Sequence, residues 1–257
     1  MSLVSPPVYL DYNATTPVDP RVLEAMLPYF SQKFGNAASK THQHGWIAEE
    51  AVNIARKQVA RLIGAEEQEI YFNSGATEGL NTALKGISEL YHEKGKHIVT
   101  VATEHKAVLD TCKYLEERGA QVTILPVNRD GIMDLDILKK AITDKTIAVA
   151  VMLANNETGA LQSMRTIADI VHEKGSILVC DGTQAVGKMM LDVNEEYVDV
   201  LTLSAHKIYG PKGVGAIFVR RKNPRVSISP LLHGGGHERG LRSGTLNVPG
   251  IVGLGKA

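Results

Sequence analysis

The chain has 257 residues, and its 28 lysines and arginines balance 28 aspartates and glutamates, so its formal net charge is zero. That balance removes the electrostatic case for a nucleic-acid or membrane-surface binder, which needs a basic excess. Apolar residues at 44% and charged residues at 22% are ordinary globular usage, with ample material for a core. The chain opens on an extended Tyr9–Pro20 piece and an amphipathic helix from about Gly45 to Ile63, with Ile47, Ala51, Ile54 and Leu62 expected on its buried face. From there strand-like and helical runs alternate. Ile70–Phe72 leads into a helix over Thr77–Tyr91, His97–Ala102 into His105–Arg118, and Gln121–Val127 into Leu135–Ile142. Thr146–Leu153 then leads into Met164–Lys174, and the strands Ile177–Cys180, Val198–Leu203 and Ala216–Val219 follow. Gly119 and Gly175 stand where helices stop.

Apolar runs without alternation suit strands covered on both faces, as in parallel sheets. Strands alternating with helices of this length predict an α/β fold, a mostly parallel sheet flanked by helices. We expect an extended N-terminal segment over residues 1–20 and one large domain over residues 21–257. Pro249 suits the first turn of a last helix, and the chain stops at Lys256-Ala257 as if cut within it. Such a cut is expected to leave apolar surface bare around Ile251 and Leu254. The longest apolar run, Ile147–Ala154, has eight residues, against the ~20 that span a bilayer. The start, Met-Ser-Leu-Val-Ser-Pro-Pro, has no basic or apolar stretch, so no signal peptide is expected. Two cysteines, Cys112 and Cys180, make no disulfide framework, and a cytoplasmic location is expected.

In open α/β sheets, ligands bind beyond the carboxyl ends of the strands. The first such position holds Asn73-Ser74-Gly75-Ala76-Thr77-Glu78, a small-residue turn opening a helix, which suits an anion or phosphate. Thr103-Glu104-His105, Asn155-Asn156-Glu157-Thr158-Gly159, Asp181-Gly182-Thr183-Gln184 and Ser204-Ala205-His206-Lys207 follow the next strands. Each cluster alone also reads as caps and turns, but five at five strand ends converge in space. Their chemistry fits one task. A buried Asp keeps a heteroaromatic nitrogen protonated, a partly desolvated Lys forms a Schiff base, and a His stacks or moves protons. Pyridoxal 5'-phosphate uses all three, together with a phosphate seat.

The ordered set Leu10-Asp11-Tyr12-Asn13-Ala14-Thr15-Thr16-Pro17, Ser74-Gly75-Ala76-Thr77-Glu78, Glu104-His105, Asn155–Gly159, Asp181–Gln184, Ser204–Gly213 and His233–Thr245 closely resembles cysteine desulfurases of the NifS/IscS type, in the class V aminotransferase group. The likeness runs from about residue 8 to the last residue. It implies the large domain of a fold-type-I pyridoxal-phosphate enzyme, homodimeric, that takes sulfur from L-cysteine and leaves alanine. The resemblance gives Lys207 the bond to the cofactor and the proton transfers at the substrate's α-carbon. Asp181 would pair with the pyridine nitrogen, and His105 would stack on the ring and exchange protons. Gln184 and Asn156 would lie near the phenolic oxygen and the substrate. Ala76, Thr77, Ser204 and His206 would hold the phosphate, and Thr245 would reach the phosphate of the other subunit. A sulfur acceptor or iron–sulfur scaffold protein would be the further partner, with no nucleic acid, membrane or metal involved.

Family members also carry a C-terminal small domain with a mobile-loop Cys that accepts the sulfur and an Arg that grips the substrate carboxylate. Neither stands in this sequence, and Cys112 and Cys180 read as inert structural thiols. Three rivals follow. A selenocysteine lyase or another class V lyase or aminotransferase shares the cofactor motifs. A non-catalytic pyridoxal-phosphate-binding fragment would follow from the missing Cys loop. A zinc site could use His42, His44, His233 and His237, although the i, i+4 pair His233 and His237 lies in a triglycine loop rather than on a helix and no Glu-x-x-His accompanies it.

Overall fold

The computed structural model describes residues 7–257. The expected absence of a leader, and the first six residues of the expected 1–20 segment, lie outside the described residues. Residues 7–19 hold no helix or strand. The first helices are α1 (Pro20–Met26), α2 (Pro28–Ser31) and α3 (Gln43–Leu62). The α/β series follows as β1 (Ile70–Asn73), α4 (Ala76–Leu90), β2 (His97–Val101), α5 (Lys106–Glu116), β3 (Gln121–Leu125), α6 (Leu135–Ala141), β4 (Thr146–Met152), α7 (Met164–Glu173), β5 (Ile177–Asp181), β6 (Val200–Ser204) and β7 (Gly215–Val219). The last helix is α8 (Val248–Lys256). The helix starts have local causes: Asp19 caps α1 ahead of Pro20, Asp134 caps α6, and the Asn247 side chain accepts the Gly250 N–H at 3.1 Å to cap α8 ahead of Pro249.

The seven strands form one sheet in the order β1-β7-β6-β5-β4-β2-β3. All pairs are parallel except those of β7, which runs antiparallel to both β1 and β6. Successive strand residues feed opposite faces. Val149 and Val151 join one core with α3, α6, α7 and α8, whereas Ala148 and Ala150 join the other with α4 and α5. Because both faces are apolar, the strands read as unbroken apolar runs. Helices therefore cover the sheet on both sides, and β1, β2, β4, β5 and β6 all point their carboxyl ends at one edge.

Two expectations are corrected. The buried face of α3 is not the one through Ile54 and Leu62, which are 48% and 44% exposed; it runs through Ala48, Ala51, Val52, Ala55 and Val59. Small side chains win there because α8 lies against them: a Cβ on Gly255 would stand 2.7 Å from Ala55 Cα. Ile251 and Leu254 are not bare either. Each is 2% exposed, packed in the core shared with α3.

Candidate functional site

The carboxyl edge of the sheet borders a cavity of about 800 Å³. Its floor begins at β1. Asn73 Oδ1 accepts the Gly75 N–H at 2.9 Å, and Gly75 turns into α4 at φ +138°, a conformation that excludes a side chain. Ala76 and Thr77 thus stand on the cavity at the start of a fifteen-residue helix, where first-turn N–H groups have no partner within the helix. Ser204 ends β6 on the same cavity.

His105 caps α5, its Nδ1 accepting the Ala107 N–H at 3.0 Å. A neutral ring held this way carries its proton on Nε2, which has no partner among the described residues. The preceding residue, Glu104, is 7% exposed. Its Oε1 accepts the Met152 N–H at 2.7 Å while Oε2 finds no partner. Burial pushes this carboxyl well above the usual range, against the Met152 bond, and the Asp181 charge adds to the rise. After β4, Asn155 Oδ1 accepts the N–H groups of Glu157 and Thr158, both at 2.9 Å. That turn sets Asn156 on the cavity, its amide donating to Glu157 at 2.7 Å.

Asp181 closes β5 and is 3% exposed; Oδ1 accepts the Thr183 N–H at 3.0 Å. Burial raises its carboxyl, and the Thr183 bond and the Lys207 charge only partly offset this. A buried carboxylate so poorly compensated calls for a cation. Gln184 donates to the Asn13 carbonyl at 2.9 Å and accepts from Lys188. Lys207 ends the short turn after β6, and its Nζ donates to the carbonyls of Asn13 and Ala14, the latter at 2.9 Å. Burial, and then the Lys188 charge, hold the Lys207 ammonium below its ordinary range, against Asp11, Asp181 and Glu157. The His206 imidazole is also held low, by burial and by Lys207 and Lys212.

Lys207, His105, Ala76, Thr77, Asn156, Asp181, Gln184, Ser204 and His206 all border this cavity; Thr245 is exposed and does not. The donor set fits pyridoxal 5'-phosphate: an amine for the aldehyde carbon, a buried carboxylate for the ring nitrogen, and an N-terminal helix edge for the phosphate. The roles of the N-terminal segment were missed. Thr16 N donates to the His206 carbonyl at 2.9 Å, Thr16 Oγ1 accepts the Tyr209 N–H at 2.8 Å, and Thr15 Oγ1 meets His206 Nδ1 at 3.1 Å. The segment thereby fastens the Lys207 turn. Its only signal was a motif of turn formers and hydroxyls at Asp11–Thr16, which carries no chemistry of its own.

Cys112 and Cys180 are 1% and 0% exposed. Burial, helped by the Glu104 and Glu116 charges, pushes the Cys112 thiol up to about 12, and burial with the Asp181 charge pushes Cys180 up as well. Both are the opposite of a reactive thiolate. Among the described residues no group of three or more His, Cys, Asp or Glu is placed to hold a metal, and no helix is long and apolar enough to cross a membrane. His42 and His237 instead accept backbone N–H groups, from Gly45 and Gly244, both at 3.2 Å.

The cysteine desulfurase IscS of Rickettsia bellii (strain OSU 85-389) is 57% identical over 251 residues, 98% of this chain and 61% of the relative. Among solved structures, a "NIFS-like protein" superposes with a TM-score of 0.92 at 44% identity, covering 96% of this chain and 67% of that one. The structure titled "SspA in complex with cysteine" gives 0.91 at 40% identity, covering 96% and 71%. The chain spans about three fifths of the length of the curated relatives it matches. The family profile described as "Aminotransferase class-V" matches residues 8–257, essentially the whole described chain. By that match and those identities, the chain belongs to the class-V aminotransferase family.

Proposed function

We propose that this chain is the cofactor-bearing part of a cysteine desulfurase, an enzyme that takes sulfur from L-cysteine and leaves alanine. The observation that carries the reading is the meeting of Lys207 and Asp181 in one cavity beside the start of α4. The desulfurase name of the 57% identical relative and the cysteine in the SspA structure's title support it. Bound pyridoxal 5'-phosphate supplies an electron sink for negative charge at the substrate's α-carbon.

The protein's own groups do the rest. Lys207 bonds the cofactor and moves the α-proton, its lowered ammonium pKa leaving more free amine at neutral pH. Asp181 holds the proton on the ring nitrogen, gaining the cation that its buried carboxylate lacks. His105, Gln184 and Asn156 border the space that the cofactor ring and the substrate would take, with His105 Nε2 placed to exchange a proton, and Ala76, Thr77, Ser204 and His206 would seat the phosphate. Neither Cys112 nor Cys180 takes the sulfur, since both thiols are buried and protonated. The proposal includes a homodimer in which Thr245, exposed and away from its own cavity, serves the second copy's phosphate. A sulfur-acceptor or iron–sulfur scaffold protein is the proposed recipient, in the cytoplasm.

The test is spectroscopic. Purified protein given pyridoxal 5'-phosphate should turn yellow, and L-cysteine should change that absorbance. A change with L-selenocysteine but none with L-cysteine would assign the chain to selenocysteine lyases instead.

A further inference from the structure

Glu78 poses an electrostatic problem at the proposed phosphate seat. It stands in the first turn of α4 and borders the same cavity as Ala76 and Thr77. A carboxylate at a helix start takes the favourable place that an incoming phosphate would use, and repels it. Burial would raise the Glu78 carboxyl, but Arg242 and the Ser74 N–H outweigh burial and hold it below the ordinary range. It is therefore an anion at neutral pH, in a cavity meant for another anion.

The structure answers that charge. Arg242 Nε donates to Glu78 Oε1 at 2.9 Å and Nη2 approaches Oε2 at 3.5 Å, while the Ser74 N–H donates to Oε2 at 2.8 Å. Both side chains are largely buried, 22% exposed for Arg242 and 11% for Glu78. Nor is Arg242 needed to fasten its own segment. Glu238, four residues earlier, pairs with buried Arg56 at 2.7 and 2.9 Å and accepts the Phe72 N–H at 2.7 Å. Ser243 N donates to the Leu232 carbonyl at 3.3 Å, closing the loop on itself. The segment is anchored on β1 by groups other than Arg242, which leaves the guanidinium an electrostatic task.

We propose that Arg242 is a positioning residue for the phosphate seat, pairing Glu78 so that this carboxylate neither occupies nor repels the anion at the start of α4. The inference rests on the cofactor reading above. It is tested on the apoprotein by equilibrium binding of pyridoxal 5'-phosphate, phosphate-free pyridoxal and inorganic phosphate. Arg242→Gln should weaken both phosphate-bearing ligands roughly tenfold and leave pyridoxal unchanged. Adding Glu78→Gln to it should restore phosphate binding to within about threefold, because the charge to be cancelled is gone. Equal weakening of pyridoxal, or a double variant as weak as Arg242→Gln alone, would make Arg242 a mere tether and overturn the proposal. If Arg242→Gln does not fold, Glu78→Gln alone decides: inorganic phosphate should bind at least as tightly as to the unaltered protein, and weaker binding overturns the proposal. Unaltered protein that binds inorganic phosphate but never fixes pyridoxal 5'-phosphate on a lysine would refute the cofactor reading while the phosphate comparison still decides the role of Arg242. Protein that binds neither anion overturns both.

Discussion

At Lys207, burial and the Lys188 ammonium both act against the charged form. Capture of pyridoxal 5'-phosphate by the apoprotein needs the free amine, so its rate should rise with pH through a midpoint below the usual lysine value of ~10.4. Lys188→Met removes a like charge, and the midpoint should move upward; a midpoint that stays or falls would dismiss Lys188 as a tuning charge. Glu104 obeys a different linkage. Its folded carboxyl titrates well above its unfolded value, so the stability it contributes is present at low pH and lost as pH rises through that folded value. Glu104→Gln imitates the protonated form, and above neutral pH it should raise the melting temperature, by about 2–4 °C for each ~1 kcal/mol recovered. A Gln variant that melts lower at pH 8 than at pH 5, as steeply as the unaltered protein, would contradict this. Asp181→Ala should weaken cofactor binding and stop exchange of the substrate's α-proton, with Asp181→Asn keeping part of the binding. Unchanged exchange in the Ala variant would remove Asp181 from the chemistry.

At the scale of elements, the contact between α3 and α8 shows where sequence reading reaches its limit. Period and capping residues located all seven strands and the helices that flank the sheet to within a few residues. The strand ends in turn carried nine cavity residues, because β1, β2, β4, β5 and β6 share one edge. The face of α3 was read wrongly because hydrophobicity favours Ile54 and Leu62, whereas proximity to α8 selects Ala51 and Ala55. Which side of a helix is buried depends on what packs there, and no local pattern encodes that partner. Long-range pairs such as Arg56 with Glu238, or Thr16 with His206, were illegible for the same reason. The close α3–α8 approach predicts that Gly255→Ala, whose Cβ would meet Gln58 Oε1 at 2.6 Å and Ala55 at 2.7 Å, destabilises by about 1–3 kcal/mol in thermal melts. No loss would mean that the helices part easily.

For the whole molecule, two cores lie on opposite faces of the one sheet whose edge borders the cavity, and both thiols lie inside those cores. The 257 residues should therefore bind the cofactor yet yield no alanine or sulfide from L-cysteine by themselves. Alanine formation lost in Cys112→Ser or Cys180→Ser would show one of those thiols to be catalytic. With cofactor bound, sedimentation at micromolar concentration should give a dimer, and a fully loaded monomer would dismiss the role proposed for Thr245. The central claim, that Lys207 is the residue that bonds pyridoxal 5'-phosphate, is tested most directly by borohydride reduction of the loaded protein followed by peptide mapping. The label should fall on Lys207 and vanish with the absorbance in Lys207→Ala; a label on Lys212, or none at all, would contradict it.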